Sequence, residues 1–300
     1  MLQILHLFNF ILTMTKYSIV VCSYNRYNLL IDTIESILEA LKGRADFELL
    51  VIDNNSSDAT SIINEKYSSN KFVKYFLETQ QGLSHARNRG INESGGEIIV
   101  YLDDDIELVE NYFKICDQIF ADEWVSISGG KVLPYKVTIP KWLPKKYYHL
   151  VSVYDLGNSI KFVKHLMGGN FAIRKKEAQK IGYYNSNLGR MGKILAGGEE
   201  TDYQNRANLM GYKMFYHPEQ NILHKINDKL NKKYVIEYSR ELGSSERIID
   251  ESVSKFKVIK KITKSYFAII FYVLFYKIIR NERRCVYLKI INAYAKGYIK

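Results

Sequence analysis

Three consecutive carboxylates, Asp103-Asp104-Asp105, close an apolar run that begins near Ile99. Side by side they repel one another unless a cation neutralises them. Hard oxygen ligands suit Mg2+ or Mn2+. A metal held there can bridge protein carboxylates and a diphosphate and stabilise a departing nucleoside diphosphate. Taken alone, the run equally fits a solvated loop in which Asp103 caps the next helix. A second acidic group, Glu199-Glu200 with Asp202 just behind, follows Gly197-Gly198. A carboxylate in that position can take a proton from a hydroxyl. The plain alternative is an acidic first turn favoured by the helix dipole.

The segments around the first acidic run alternate in kind. Tyr17 to Cys22 is a continuous, β-branched apolar run, as in a buried parallel strand. Leu29, Leu30, Thr33, Ile34, Ile37, Leu38 and Leu41 then recur at helical spacing, and Gly43 stops them. Phe47 to Ile52 predicts a second strand, Ala59 to Tyr67 a helix capped by Ser57 or Asp58, and Phe72 to Leu77 a third strand. Leu83 to Glu93 reads as a helix broken by Gly95-Gly96, and Glu97 to Leu102 as a fourth strand. Alternation of this kind means an α/β domain with a mostly parallel central sheet flanked by helices. Ligands bind such sheets at the carboxyl ends of the strands. Tyr24-Asn25-Arg26, Asp53 and the three aspartates all fall just past strand ends, so they share one rim.

The second half is less regular. Trp124 to Leu133 reads as one strand, and Pro134 to Leu150 as an irregular loop. A helix from about Thr201 to Met210 precedes short strand candidates at Lys213 to Tyr216 and Asn221 to His224. The net charge of +11 is unevenly placed: residues 225–300 hold 18 Lys/Arg and 7 Asp/Glu, which leaves the rest neutral. A basic tail seeks an anionic surface. Val253, Phe256, Ile259 and Ile262 sit among its lysines, and Tyr266 to Tyr276 is an uninterrupted apolar run. The run is shorter than the roughly 20 residues a spanning helix needs. It fits a helix lying in the interface with its lysines on head groups, or a core helix packed on the main domain. That apolar run favours a membrane over nucleic acid as the tail's partner. Three scattered cysteines, Cys22, Cys116 and Cys285, form neither a disulfide framework nor a zinc motif, as in a reducing compartment. The apolar stretch from Met1 to Leu12 has no basic n-region and no cleavage site, so it does not read as a signal peptide; either Met14 is the start or the stretch forms a short membrane-associated helix. The expected division is an extension over 1–15, a catalytic domain over 16–225 and a helical basic tail over 226–300.

Four segments, Ser18-Ile-Val-Val-Cys-Ser-Tyr-Asn-Arg26, Leu50-Val-Ile-Asp-Asn-Asn-Ser-Ser-Asp58, Gly82-Leu-Ser-His-Ala-Arg-Asn-Arg-Gly90 and Ile99-Val-Tyr-Leu-Asp-Asp-Asp105, resemble family 2 glycosyltransferases of the GT-A fold in order and spacing. Gly168-Gly-Asn-Phe-Ala-Ile-Arg174 and Gly198-Glu-Glu-Thr-Asp-Tyr203 resemble that family's acceptor-side motifs. The resemblance spans about Lys16 to His224 and implies a metal-dependent, inverting transfer from a nucleotide sugar to a hydroxyl of a glycan or lipid-linked glycan, as in surface polysaccharide or glycolipid assembly. UDP-linked donors are the commonest choice among such enzymes. The family implies that Cys22, Tyr24, Asn25, Arg26, Asp53, Asn55 and Arg87 meet the nucleotide and that Asp103 and Asp104 touch ribose and donor sugar. It likewise implies that Asp105 and His224 hold Mn2+ or Mg2+, and that Gly169, Asn170 and Arg174 lie on the acceptor side. Family members usually carry Glu-Asp where this chain has Glu199-Glu200; by position Glu200 is the expected base, Glu199 its neighbour and Asp202 the fallback. The tail then implies a cytoplasmic enzyme at the inner face of the cell membrane. Rival readings are a nucleotidyltransferase, which would want a Gly-rich basic loop where Ser23-Tyr24-Asn25-Arg26 stands, and a non-catalytic binding protein, which would not need acids at both positions. No G-x-G-x-x-G follows the first strand, which excludes a dinucleotide oxidoreductase.

Overall fold

The computed structural model describes residues 15–192 and 194–300. The apolar stretch before Met14 lies outside them. In chain order, the first half comprises β1 (Tyr17–Ser23), α1 (Tyr27–Ala40), β2 (Phe47–Asp53), α2 (Ile62–Lys66), β3 (Val73–Leu77), α3 (Leu83–Glu93) and β4 (Ile98–Leu102). There follow β5 (Ile106–Leu108), α4 (Tyr112–Phe120), β6 (Ile127–Gly129), β7 (Val132–Pro134), β8 (Lys161–Val163), β9 (Asn170–Arg174), α5 (Lys175–Ile181), α6 (Glu199–Leu209), β10 (Met214–Tyr216) and β11 (Ile222–His224). The chain ends in three longer helices, α7 (Lys232–Val253), α8 (Lys255–Phe275) and α9 (Glu282–Ile299).

Eight strands form one sheet in the order β3-β2-β1-β4-β9-β6-β10-β8, and β5-β11-β7 form a second, smaller one. β1 pairs in parallel with β2 and β4, and β2 with β3, whereas β9 runs antiparallel to β4 and β6. Side chains alternate across this sheet as its pleat requires. Ile19, Val21, Leu49, Val51, Ile98 and Val100 meet Leu30, Ile34 and Ile37 of α1 on one face. Val20, Leu50, Ile52, Ile99 and Tyr101 meet Ala86 and Ile91 of α3 on the other. Each such fully buried side chain contributes about 1.5–3 kcal/mol. The direction of strand addition reverses between β1 and β4, and the crevice beyond that reversal is where open α/β sheets take ligands. Ser23 to Arg26 and Asp103 to Asp105 both emerge there.

The segment Trp124 to Leu133 is not one strand. It divides at Gly130-Lys131 into β6 in the large sheet and β7 in the small one. A side chain at Gly130 would run into the backbone carbonyls of His217 and Gln220, so the chain crosses there at backbone distance. The predicted helix after Asp58 starts as a 3-10 turn, Ala59–Ser61, capped by the Asp58 carboxylate on the Thr60 N–H. The proline-rich loop ends in a 3-10 turn, Lys145–Val151.

The tail is not one body. α7 and α9 cross tightly: a Cβ at Gly243 would strike the carbonyl of Tyr294, and one at Gly297 the carbonyl of Arg240. Val235, Val286 and Ile290 from these helices join Leu143, Leu150, Val151 and Ile226 in a third apolar cluster. α8 behaves differently. Only Val258 and Ser265 of it are buried, while Phe256, Phe267 and Phe271 are exposed, Phe256 by 76%. No helix among the described residues is long and apolar enough to cross a membrane.

Candidate active site

A cleft of about 610 Å³ opens at the carboxyl ends of β1 and β4. One end holds the acidic run. Asp105 is fully buried and faces His224 at 2.5 Å, Oδ1 to Nε2. Arg26, at the start of α1, forks across the run, with Nη1 2.8 Å from Asp104 and Nη2 2.6 Å from Asp105. The Ser23 hydroxyl donates to Asp104 at 2.6 Å. Burial raises the Asp104 carboxyl to about 6, with Arg26 opposing and Asp105 adding to the rise. Burial acts the same way on Asp105, but His224, Lys229 and Arg26 outweigh it and hold this carboxyl well below the usual range.

Asp103, Asp105 and His224 each offer a ligand atom, and those atoms lie within 4.8 Å of one another. Ligands about 2.1 Å from an octahedral ion sit at comparable separations. The donor set of two carboxylates and one imidazole suits Mn2+ or Mg2+. The carbonyl of Ser152 lies 3.4 Å from Nδ1 of His224 and can fix the tautomer that leaves Nε2 free to bind. The residues therefore fit a divalent metal.

The other end of the cleft holds the first turn of α6. Glu199 is buried and accepts from Arg87 Nη1 at 2.7 Å, while Arg87 Nη2 stands 3.9 Å from Glu200. Glu200 keeps 29% of its side chain exposed to the cleft. Desolvation, then the charge of Glu199, lifts the Glu200 carboxyl to about 7 against the pull of Arg87. Gly168-Gly169 lies between the two ends. A Cβ on Gly168 would meet the Glu200 carboxylate and one on Gly169 the Asp103 carboxylate, so both acids press on bare backbone.

Cys22, Tyr24, Arg26, Arg87, Asp103, Asp104, Asp105, Gly169, Glu199 and Glu200 all line the cleft. His224 reaches it through Asp105. The other named residues do not line it. Asp53 is buried, with its carboxylate accepting from the Ser56 N–H and the Tyr75 hydroxyl. Asn25 and Asn55 both adopt positive φ, and the Asn25 side chain ties its loop to Ser57 at 2.7 Å. Asn170 cross-links Tyr112, Lys131 and Gln220 inside the fold. Arg174 spends its guanidinium on Glu97 and on the carbonyls of Phe120, Asp122 and Val125. Asp202 pairs with Arg206 at 3.1 Å, one turn on.

Sequence reasoning did not find Asn54, Arg190, Lys229 or Tyr238, all of which line the cleft. Lys229 is buried with Nζ 3.4 Å from Asp105 and 3.1 Å from His224. Arg190 donates to the Tyr234 hydroxyl of α7 at 2.9 Å. Asn54 stands in the motif beside Asp53 and Asn55 and was passed over, whereas nothing in the local sequence marks Arg190, Lys229 or Tyr238, which arrive from an irregular segment or from the tail.

Residues 18–182 match the family model described as glycosyl transferase family 2. Among characterised relatives, the glucosyl-dolichyl phosphate glucuronosyltransferase of Haloferax volcanii is 22% identical over 243 residues, 78% of this chain and 77% of that one. The GalNAc(5)-diNAcBac-PP-undecaprenol beta-1,3-glucosyltransferase of Campylobacter jejuni is 30% identical over 131 residues, 43% of this chain and only 42% of that protein. A mannosyltransferase from Pyrobaculum calidifontis, solved with GDP-Man and Mn2+, superposes with a TM-score of 0.64 at 15% identity, covering 94% of this chain and 86% of that one.

Proposed function

The chain belongs to glycosyl transferase family 2, and from that premise we propose that it moves a sugar from a nucleoside-diphosphate donor to a hydroxyl of a lipid-linked acceptor, with inversion and with Glu200 as the base. One observation carries this reading: a candidate metal set and the raised Glu200 carboxylate face one cleft, against the adjacent glycines Gly168 and Gly169. Asp103, Asp105 and His224 would hold the divalent metal, which would supply positive charge against the departing diphosphate. Arg26, Arg190 and Lys229 supply further positive charge along the same wall. Cys22, Ser23, Tyr24, Arg26 and Asn54 cradle the nucleotide, and Asn25 and Asp53 act by holding the loops behind them in shape.

Glu200 takes the acceptor hydroxyl's proton as its oxygen attacks the anomeric carbon and the bond to the phosphate oxygen breaks. A single displacement of this kind inverts the centre and needs no nucleophile from the protein. Glu199 is buried and already engaged by Arg87 at 2.7 Å, which leaves Glu200 the carboxylate facing the cleft. Asp202 lies outside the cleft and is spoken for by Arg206.

The lipid-linked acceptor draws on two supports: the dolichyl- and undecaprenol-linked substrates of the two relatives named above, and α8. That helix turns Phe256, Ile259, Phe267, Ile270 and Phe271 outward, and Lys260 and Lys264 are exposed beside them. An apolar face bordered by lysines suits the boundary of an anionic bilayer. The enzyme then works at the inner face of the cell membrane. Screening nucleotide sugars with Mn2+ for thermal stabilisation, uridine donors first, tests the donor half. Metal-dependent stabilisation by one donor that vanishes in Asp105→Ala supports the reading, and equal stabilisation without metal refutes it.

A further inference from the structure

A second cavity, of about 350 Å³, adjoins the cleft on the side of the tail. His149, Gly198, Thr201 and Leu242 line both spaces, so the cavity begins at the residues that flank Glu199 and Glu200 in the chain. It extends between the 3-10 turn at Lys145–Val151, the start of α6, and the helices α7 and α9. Its wall is built from Leu150, Leu242, Ile249, Ile290, Ile291 and Tyr294.

Ser239, Ser245 and Glu246, polar groups along it, are already occupied. The Ser239 hydroxyl donates to the Val235 carbonyl at 2.6 Å, and that of Ser245 to the Glu241 carbonyl at 2.9 Å. Glu246 accepts from Tyr294 and from Lys261 of α8. A sugar placed here would lose water and gain few hydrogen bonds, at a cost of a few kcal/mol per polar group. A hydrocarbon loses nothing of that kind and gains burial. At about 30 Å³ for a water-sized group, the space takes on the order of ten carbons. Glu246 and its partner Lys261 connect this wall to α8, the helix with the outward apolar face.

We infer that this cavity receives the lipid-proximal hydrocarbon of the acceptor, so that a polyprenyl-type chain entering beside α8 places its polar head at Glu200. The inference rests on the proposed lipid-linked acceptor and gives it a binding site between α7 and α9. His149 stands at the junction, where the chain would pass into the cleft.

The test uses the full chain in detergent with a diazirine-bearing geranylgeranyl phosphate as probe. Photolabelling should fall on the peptides of α7 and α9 that carry Leu242, Ile291 and Tyr294. Unlabelled geranylgeranyl phosphate should compete, and inorganic phosphate should not. Ile291→Trp, which fills the cavity from a partly exposed position, should cut labelling at least tenfold and leave Mn2+-dependent hydrolysis of the nucleotide sugar within twofold of the parent. Labelling confined to α8, or undiminished in Ile291→Trp with hydrolysis intact, overturns the inference. Should the variant lose hydrolysis through misfolding, the label map of the unmodified protein decides. Absence of hydrolysis in the unmodified protein would count against the transferase assignment of the cleft, and the label map would still judge the cavity.

Discussion

Glu199 and Glu200 are adjacent in the chain and opposite in circumstance. Arg87 pairs with the first at 2.7 Å, and the second is left with a carboxyl raised to about 7. A base with that value is protonated and idle below pH 7 and competent above it. The transfer rate should therefore climb between about pH 6 and pH 8. Glu200→Gln should lower transfer by about 10²-fold or more while donor stabilisation persists, a loss within the range for removing a general base. Retained transfer would move the role to Glu199. Arg87→Met strands a buried carboxylate and should cost about 3–5 kcal/mol in urea unfolding. Adding Glu199→Gln should recover much of that loss, which an unrelated defect would not allow. His224→Ala should raise the Mn2+ concentration needed for half-maximal stabilisation by about tenfold or more. At this scale the acids were legible because like charges at strand ends are conspicuous in a sequence. Lys229 was not, since a lysine among lysines carries no mark of the burial that brings it to Asp105.

The parallel half of the sheet could be read almost residue by residue. Its strands are long, apolar and separated by helices with clean three-four spacing, as at Leu30, Thr33, Ile34 and Ile37. The later strands are three residues each at β6, β7, β10 and β11, too short for a period to show. That is why Trp124 to Leu133 reads as one element when it serves two sheets. The tail's amphipathic segment was visible, yet its packing was not. The α7–α9 crossing depends on Gly243 and Gly297, isolated glycines whose meaning is the backbone lying over them. Gly297→Ala should lower the melting temperature, with a cost at or above the roughly 1–3 kcal/mol of ordinary overpacking, because a carbonyl cannot move aside as a side chain can. A melting curve unchanged from the parent would mean that the helices cross less closely.

Taken whole, the molecule has a neutral catalytic half and a basic tail, and the two are not separable. Tyr238 and Leu242 of α7 line the cleft, so cutting the tail away would open the active site as well as detach any membrane contact. The cleaner test of that contact leaves the bundle intact. Phe267→Ser with Phe271→Ser should reduce sedimentation with anionic vesicles, and raised salt should weaken what remains, while Mn2+-dependent donor hydrolysis stays unchanged. Equal sedimentation of the variant would exclude α8 as the contact. The same helix pair has a kinetic consequence. Because α7 forms one wall of the cleft and α8 continues directly from it, the proposed docking on a bilayer would confine the search for acceptor to two dimensions. Turnover should then follow the acceptor's mole fraction within the lipid. Diluting the surface with inert lipid, at constant total acceptor, should slow the reaction as removing substrate would.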